Sequence, residues 1–115
     1  MQLIVIVLNK VEKLEDLLTE FAKKEINGAT IFESTGMARV LGHHEDLKFF
    51  GTLRMMINPE REESKTIFVV LEESKIPVLK EAVKTVLGDI SKPDTGIIFG
   101  LPVSFVDGIG DISND

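Results

Sequence analysis

The chain has 115 residues, a length that suits one domain with a single hydrophobic core. Apolar residues make up 43% of it, which excludes a disordered chain, and the net charge of −6 makes nucleic acid and anionic lipid poor partners. The absence of cysteine excludes disulfides, zinc–thiolate sites and thiol chemistry. With no signal-peptide pattern at its start, the sequence predicts a cytoplasmic protein.

The first part of the chain predicts a strand, a helix and a second strand. Residues 3–8 form an apolar run rich in β-branched side chains, which is typical of a strand buried on both faces. Asn9 offers an N-cap for the helix, with Glu12 at the reciprocal capping position. The apolar stripe of that helix comprises Val11, Leu14, Leu17, Leu18, Phe21 and Ala22. Asn27-Gly28 is expected to end it, and residues 29–35 to form the second strand.

The middle of the chain, residues 36–64, is predicted to leave the sheet in a long excursion. Its first part, 36–51, has no clean helical or strand period and carries three glycines. Residues 52–57 have the composition of a further strand, and Asn58-Pro59 indicates a turn.

The second part of the chain predicts a strand, a helix and a last strand. Residues 66–71 form a strong strand, and Ser74 is expected to cap a helix with Pro77 in its first turn. Its apolar stripe comprises Val78, Leu79, Ala82, Val83, Val86 and Leu87. Gly88 is expected to end the helix, and residues 97–106 to form the last strand.

The order of elements is β-α-β-β-α-β, which predicts an α+β, ferredoxin-like sandwich. Right-handed crossovers place both helices on one face of a four-stranded antiparallel sheet. We expect one domain over residues 1–106, followed by an acidic, frayed tail over 107–115.

The predicted strands do not alternate between apolar and polar residues, as strands of a sheet with one solvent-exposed face would. Residues 3–8, 67–71 and 97–99 are apolar on both faces, so both faces seek burial. A second copy of the chain is the predicted cover, which makes the protein a homo-oligomer. The alternative is that the excursion folds over the open face within one chain.

Two short motifs carry a resemblance to a known family. After Gly28-Ala29-Thr30 and a strand, the chain reads Gly36-Met37-Ala38-Arg39-Val40-Leu41-Gly42-His43. This resembles the nitrogen-regulatory PII signalling proteins, in which a similar strand enters a G-F-G-R-x-x-G-H segment that opens the long T-loop. Met37 and Ala38 replace the family's aromatic residue and middle glycine. The run Thr95-Gly96-Ile97-Ile98-Phe99 resembles the end of the family's B-loop, where a glycine precedes a K-I-F strand.

The resemblance implies a homotrimer that binds adenine nucleotides in three clefts between subunits and acts in nitrogen regulation. Its T-loop would report occupancy to a partner protein, an enzyme or a membrane transporter, and ligand binding is expected to order residues 36–51. The ligand-binding residues that it implies are Thr30, Gly36, Met37, Ala38, Arg39, Gly42 and Gly96. Backbone N–H groups in glycine-containing loops and the guanidinium fork of Arg39 suit a phosphate or carboxylate.

Departures from the family pattern bear on the ligand. Ile97 occupies the position of the B-loop lysine, and residues 107–111 carry no cation where family members have two arginines. A ligand less charged than ATP is therefore expected: a monophosphate nucleotide, another small metabolite or a metal ion. The chain has no tyrosine, which excludes control by uridylylation.

Several candidate residues also have plainer readings. Arg39 could be an exposed loop charge, Thr30 a strand former and Met37 a core filler. His43 and His44, with two acidic residues after them, are candidate ligands of a divalent metal around a trimer axis, or a solvated loop.

The alternatives to a PII-like regulator are a trimeric metal-binding protein resembling the CutA proteins and a structural oligomer without a ligand. Catalysis is not expected. The chain has no cysteine nucleophile, no G-x-S-x-G elbow and neither common glycine-rich phosphate-binding motif.

Overall fold

Four strands and two main helices follow one another in the order predicted from the sequence. The computed structural model describes residues 1–41 and 63–109. Its elements are β1 (Gln2–Leu8), α1 (Leu14–Lys23), β2 (Ala29–Ser34), α2 (Met37–Leu41), β3 (Ser64–Leu71), α3 (Ile76–Leu87) and β4 (Gly96–Pro102). Short 3-10 turns, Val11–Lys13 and Glu73–Lys75, precede α1 and α3. The predicted ferredoxin-like α+β class is confirmed.

The sheet is antiparallel throughout, with the strand order β2-β3-β1-β4. The central strands β1 and β3 are aligned so that Ile6 lies opposite Ile67, and Ile6 lies opposite Ile98 on β4. β2 and β4 therefore form the two edges. This position matters for the site, because residues on β2 and on β4 are separated by the width of the sheet.

One hydrophobic core lies between the sheet and the two main helices. Alternate residues of the central strands point to this side and are almost fully buried against helix residues. Its members with the lowest exposure are Ile6, Leu8, Leu17, Phe21, Ile67, Val69 and Leu79. Each such side chain contributes roughly 1.5–3 kcal/mol by its removal from water, so the core fixes the face on which both helices lie.

The other face of the sheet is also apolar, as the lack of alternation predicted. On it Val5 is only 6% exposed, while Phe68 and Phe99, its neighbours across the ladder, are 37% and 45% exposed. Phe32 packs edge-on against Phe68, with 4.9 Å between the ring centroids. In the described part of the chain, neither α1 nor α3 covers this surface, which we call the open face: the side of the sheet that bears Val5, Phe32, Phe68, Ile97 and Phe99.

Both ends of the first helix differ from the prediction. Asn9 does not cap it; the Asn9 backbone N–H donates to the carbonyl of Thr95 at 3.0 Å, and a 3-10 turn leads into α1 instead. The helix ends at Lys23 rather than at Asn27-Gly28. The chain leaves it through Glu25, which adopts a left-handed φ of 62°.

Three further features of the structure also differ from the prediction. Ser74 makes no side-chain cap, because it lies within the 3-10 turn before α3, although Pro77 and Gly88 stand at the predicted start and end. The last strand stops at Pro102 rather than at residue 106, because Pro102 lies opposite Gln2, where its partner strand β1 begins. A five-residue helix, α2, begins at Met37 in a segment for which no element was predicted.

Candidate functional site

Apart from Thr30, the predicted ligand-binding residues that the structure describes fall into two places. Gly36, Met37, Ala38 and Arg39 lead into or lie on α2, directly after β2. Gly96 begins β4 on the far edge of the sheet. Of these, the structure brings Arg39 to the loop that precedes Gly96.

Arg39 is buried rather than exposed, so it is not a loop charge in water. It is 5% exposed, although α2 has only five residues. Its Nη2 donates to Oδ1 of Asp94 at 3.4 Å, and the Asp94 side chain is 9% exposed. α2 is thereby joined to the loop before β4 by an ion pair between residues that are 55 positions apart in sequence.

The loop that carries Asp94 is fixed to the end of β1. The carbonyl of Thr95 accepts hydrogen bonds from the backbone N–H groups of Asn9 and Lys10, at 3.0 and 3.3 Å. Thr95 itself is 1% exposed. Asp94 has a left-handed backbone with φ 55°, a region that aspartate tolerates better than most residues. The position of the Asp94 carboxylate is therefore set by the loop as well as by Arg39.

Gly96 has a structural reason to be glycine. A Cβ at this position would lie 2.9 Å from the carbonyl oxygen of Val7 on β1, closer than Cβ atoms come to such neighbours. The close approach of β4 to β1 thus excludes a side chain here. This reading needs no ligand, and it stands beside the sequence prediction that Gly96 contributes to binding.

Thr30 is not brought to the other candidates. It lies on the edge strand β2, opposite Phe68, on the open face. Three strand spacings separate β2 from β4, which places Thr30 and Gly96 roughly 14 Å apart across the sheet. Within one chain, Thr30 and Gly96 therefore do not line the same cleft.

Met37 is 70% exposed, so the expectation that it fills the core is wrong. Val40, on the same short helix, is 53% exposed. Two apolar side chains of α2 thus face away from the core while Arg39 faces inward. This orientation could not be predicted from the sequence, because a five-residue segment is too short to show a helical period.

A cluster of hydroxyl groups lies at the end of β2 and the start of β3, and it was not predicted from the sequence. Ser34 Oγ lies 2.8 Å from Ser64 Oγ, and Thr66 Oγ1 donates to Ser34 Oγ at 2.8 Å. Ser64 is 2% exposed. The hydroxyl groups of the cluster hydrogen-bond to one another, so they join the end of β2 to the start of β3. Only the pairing of β2 with β3 reveals it, because the serines are 30 residues apart.

Charged groups at two further places have their pKa values shifted. Hydrogen bonding to Glu33 raises the pKa of Lys65, whose Nζ lies 3.0 Å from the Glu33 carboxylate and 3.4 Å from that of Glu63. Hydrogen bonds from the Ser91 hydroxyl and N–H, at 2.6 and 3.0 Å, lower the pKa of Asp89. Asp89 and the Glu33 partner of Lys65 are exposed to water, so each interaction stabilises the fold only weakly.

A groove of about 730 Å³ lies elsewhere, between α3 and the edge strand β4. Its walls are mainly apolar and include Ile4, Leu79, Val83 and Ile98, with Lys80 and Lys84 among the lining residues. None of the predicted ligand-binding residues lines it. The groove and the Arg39 site are therefore separate features of the described structure.

Some predictions fall outside the described residues. Gly42, His43 and His44 belong to residues 42–62, so the proposed glycine contact and the metal site stay predictions. Within residues 1–41 and 63–109, no group of three acidic, histidine or cysteine side chains is arranged to hold a metal ion. In that same part of the chain, no helix is long and apolar enough to cross a membrane.

Comparison with known families adds to this geometry. The family model for nitrogen regulatory protein P-II matches residues 1–110. The chain belongs to the P-II family. That match covers both the segment around Arg39 and the loop before β4, and it favours the PII reading over the CutA-like alternative. A comparison with curated proteins found no match.

PII proteins are non-catalytic regulators, so this PII protein is a signalling or regulatory protein rather than an enzyme. Its own sequence departs from the family in the cations near the site. No lysine or arginine follows Lys92, and Ile97 stands 55% exposed where the family has a lysine. Arg39 is thus a cation that this PII protein retains beside the loop.

Proposed function

We propose that this protein is a homotrimeric PII-type regulator that binds a small anionic effector in the clefts between its subunits. The effector is an adenine nucleotide or another small anionic metabolite, and the segment 36–64 passes the signal to a partner protein. The observation that carries the proposal is the buried Arg39, held at the base of that segment and against the loop before β4. A guanidinium in this position suits a phosphate or carboxylate.

The open face supports the trimer. Phe32, Phe68 and Phe99 leave between 37% and 46% of their surface in water, side by side on a sheet face that no described helix covers. Soluble proteins rarely leave such a patch exposed, and copies of the same chain are its most economical cover. The family match supports the same assembly.

The separation of Thr30 from Gly96 supports a cleft between subunits rather than within one. Thr30 lies on one edge strand and Gly96 begins the other. In the assembly that we propose, the β2 edge of one copy lies beside the β4 edge of another. One cleft would then combine Thr30 from one subunit with Arg39 and Gly96 from its neighbour.

The signal route follows from the position of α2. Arg39 lies on this helix, which opens the 36–64 segment, so an anion that binds Arg39 acts at the root of that segment. A change in how α2 is held would reach the remainder of the segment directly through the chain. Such local switching of a loop is a common way in which a small ligand alters a protein surface.

The test is ligand-dependent thermal stabilisation of the purified protein by ATP, ADP, AMP, inorganic phosphate and bicarbonate. We expect at least one of these anions to raise the Tm, and the shift to vanish in Arg39→Ala. Lys92→Ala is the matched control, because it removes one positive charge from the exposed loop before β4 and leaves Arg39 unchanged. A panel in which no anion raises the Tm of the native protein would remove the proposal.

A further inference from the structure

We propose that Asp94 is a specificity-determining residue of the Arg39 site. Its carboxylate lies against the guanidinium that an incoming anion would use, so it competes with that anion and penalises highly charged ligands most. The inference rests on the proposed function, because it concerns the selectivity of the same site.

Asp94 and an incoming anion would compete for the same guanidinium group of Arg39. Arg39 Nη2 and Asp94 Oδ1 are 3.4 Å apart, and both side chains are more than nine-tenths buried. An anion that binds the guanidinium therefore comes within a few ångströms of the Asp94 charge. In a buried setting this repulsion is screened far less than it would be in water.

The backbone keeps Asp94 from moving away freely. Its φ of 55° is left-handed, where most side chains are disfavoured, and the next residue, Thr95, is tied to Asn9 and Lys10. A residue held in a disfavoured conformation beside a candidate site is a frequent feature of functional loops. The Cα of Asp94 thus stays in place when a ligand arrives, which keeps its buried carboxylate within reach of Arg39.

Selectivity follows from the charge on the ligand. Repulsion by Asp94 grows with each negative charge that the ligand brings close, so ATP loses more affinity than AMP or bicarbonate. The sequence points the same way, because no cation after Lys92 is present to offset the charge. Asp94 therefore tunes the site towards effectors with one or two negative charges.

The test is isothermal titration of the native protein and Asp94→Asn with ATP, ADP, AMP and bicarbonate. Asparagine keeps the size of the side chain and tolerates the left-handed backbone, while it removes the charge. We expect the affinity for ATP to rise about tenfold or more, the typical effect of one charged hydrogen bond. The gain for AMP should be smaller and that for bicarbonate smallest.

Asp89→Asn is the matched control. It removes the same charge from the same loop, but the Asp89 carboxylate is held by Ser91 and does not contact Arg39. Its affinities should stay within about twofold of the native values, because an exposed charge is well screened. Asp94→Gly provides a second charge-removing variant, since glycine adopts a φ of 55° without strain.

The outcomes separate the inference from the function on which it rests. If the native protein binds anions but the Asp94 variants bind ATP no better, or gain equally for every ligand, then Asp94 does not set specificity and the proposed function stands. If Asp94→Asn binds ATP where the native protein binds only AMP or bicarbonate, the inference holds. If neither protein binds any of the four, the proposed site fails and the inference fails with it.

Discussion

Close contacts and charge explain which residue types occupy the end of the loop before β4. Gly96 touches the backbone of β1, and Asp94 touches the guanidinium of Arg39. Thr95, between them, is buried and binds the β1–α1 connection through its carbonyl. Three consecutive residues thus serve three different contacts, so a substitution at each should fail in a different way.

Gly96→Ala should destabilise the protein by about 1–3 kcal/mol, because the new methyl group meets the Val7 carbonyl, a backbone atom that cannot rotate away. The measurement is denaturant unfolding at a fixed protomer concentration. Gly28→Ala is the control: a Cβ there meets nothing within 4 Å, and its unfolding free energy should change by less than about 0.5 kcal/mol. Equal stability of both variants would show that β4 can shift away from β1.

The ion pairs of Lys65 contribute little to the stability of the fold. It lies between Glu33 and Glu63, and hydrogen bonding to Glu33 raises its pKa. Because the Glu33 side chain is 70% exposed, water and salt screen most of the attraction. The pair helps to align β2 with β3, while the apolar ladder beside it supplies most of the stability.

At the scale of elements, the end of α1 explains why the helix is shorter than its apolar stripe suggested. The N–H of Ile26 donates to the carbonyl of Phe21 at 2.8 Å, and that of Glu25 to Ala22 at 3.1 Å. These are the two hydrogen bonds of a Schellman motif, and Ile26 and Phe21 are both buried. Burial of Ile26 holds Glu25 in the left-handed conformation that glycine usually takes.

Glu25→Gly should therefore stabilise the protein by about 0.5–1 kcal/mol, since it relieves the left-handed strain at a slight cost in unfolded-state entropy. Thermal and denaturant unfolding measure the change. Glu20→Gly, within α1, is the contrasting control and should destabilise by about 1 kcal/mol, because it weakens a helix interior. A loss of stability in Glu25→Gly would mean that the glutamate side chain matters more than its backbone.

The short helix α2 depends on its tertiary contacts. Five residues are too few for a stable isolated helix, and two of its apolar side chains, Met37 and Val40, are exposed. The buried contact in the described part of this helix is that of Arg39, which pairs with Asp94. We infer that events at this pair bear directly on whether α2 persists.

For the whole molecule, the open face is the dominant feature. Phe68 lies near its middle on the central strand β3, against Phe32. If copies of the chain meet there, a charge at this position would be buried without a partner, several times over around the axis. Such burial costs far more than the interface gains at that spot.

Phe68→Asp should convert the oligomer to monomers, as measured by sedimentation at low micromolar concentration, with circular dichroism to verify the fold. Thr19→Asp is the control, because it adds the same charge to the exposed surface of α1. It should leave the oligomer intact. A native protein that sediments as a well-folded monomer would contradict the assembly itself.

The sequence alone determined the order of elements, the apolar character of both sheet faces and the likeness to the PII family. These properties depend on local periodicity and short motifs, such as residues 3–8 and the segment around Arg39, which hold in any context. Helix ends were less predictable, because Ile26, rather than Gly28, decided where α1 stops.

Only the tertiary structure decided that Arg39 is buried against Asp94, that Ser34 meets Ser64, and that Thr30 and Gly96 lie at opposite edges of the sheet. The two contacts join residues 30 and 55 positions apart, and the strand order rather than a local pattern sets both the contacts and the separation. A single sequence specifies each strand, but the face and the edge on which a side chain lies emerge when the strands pair.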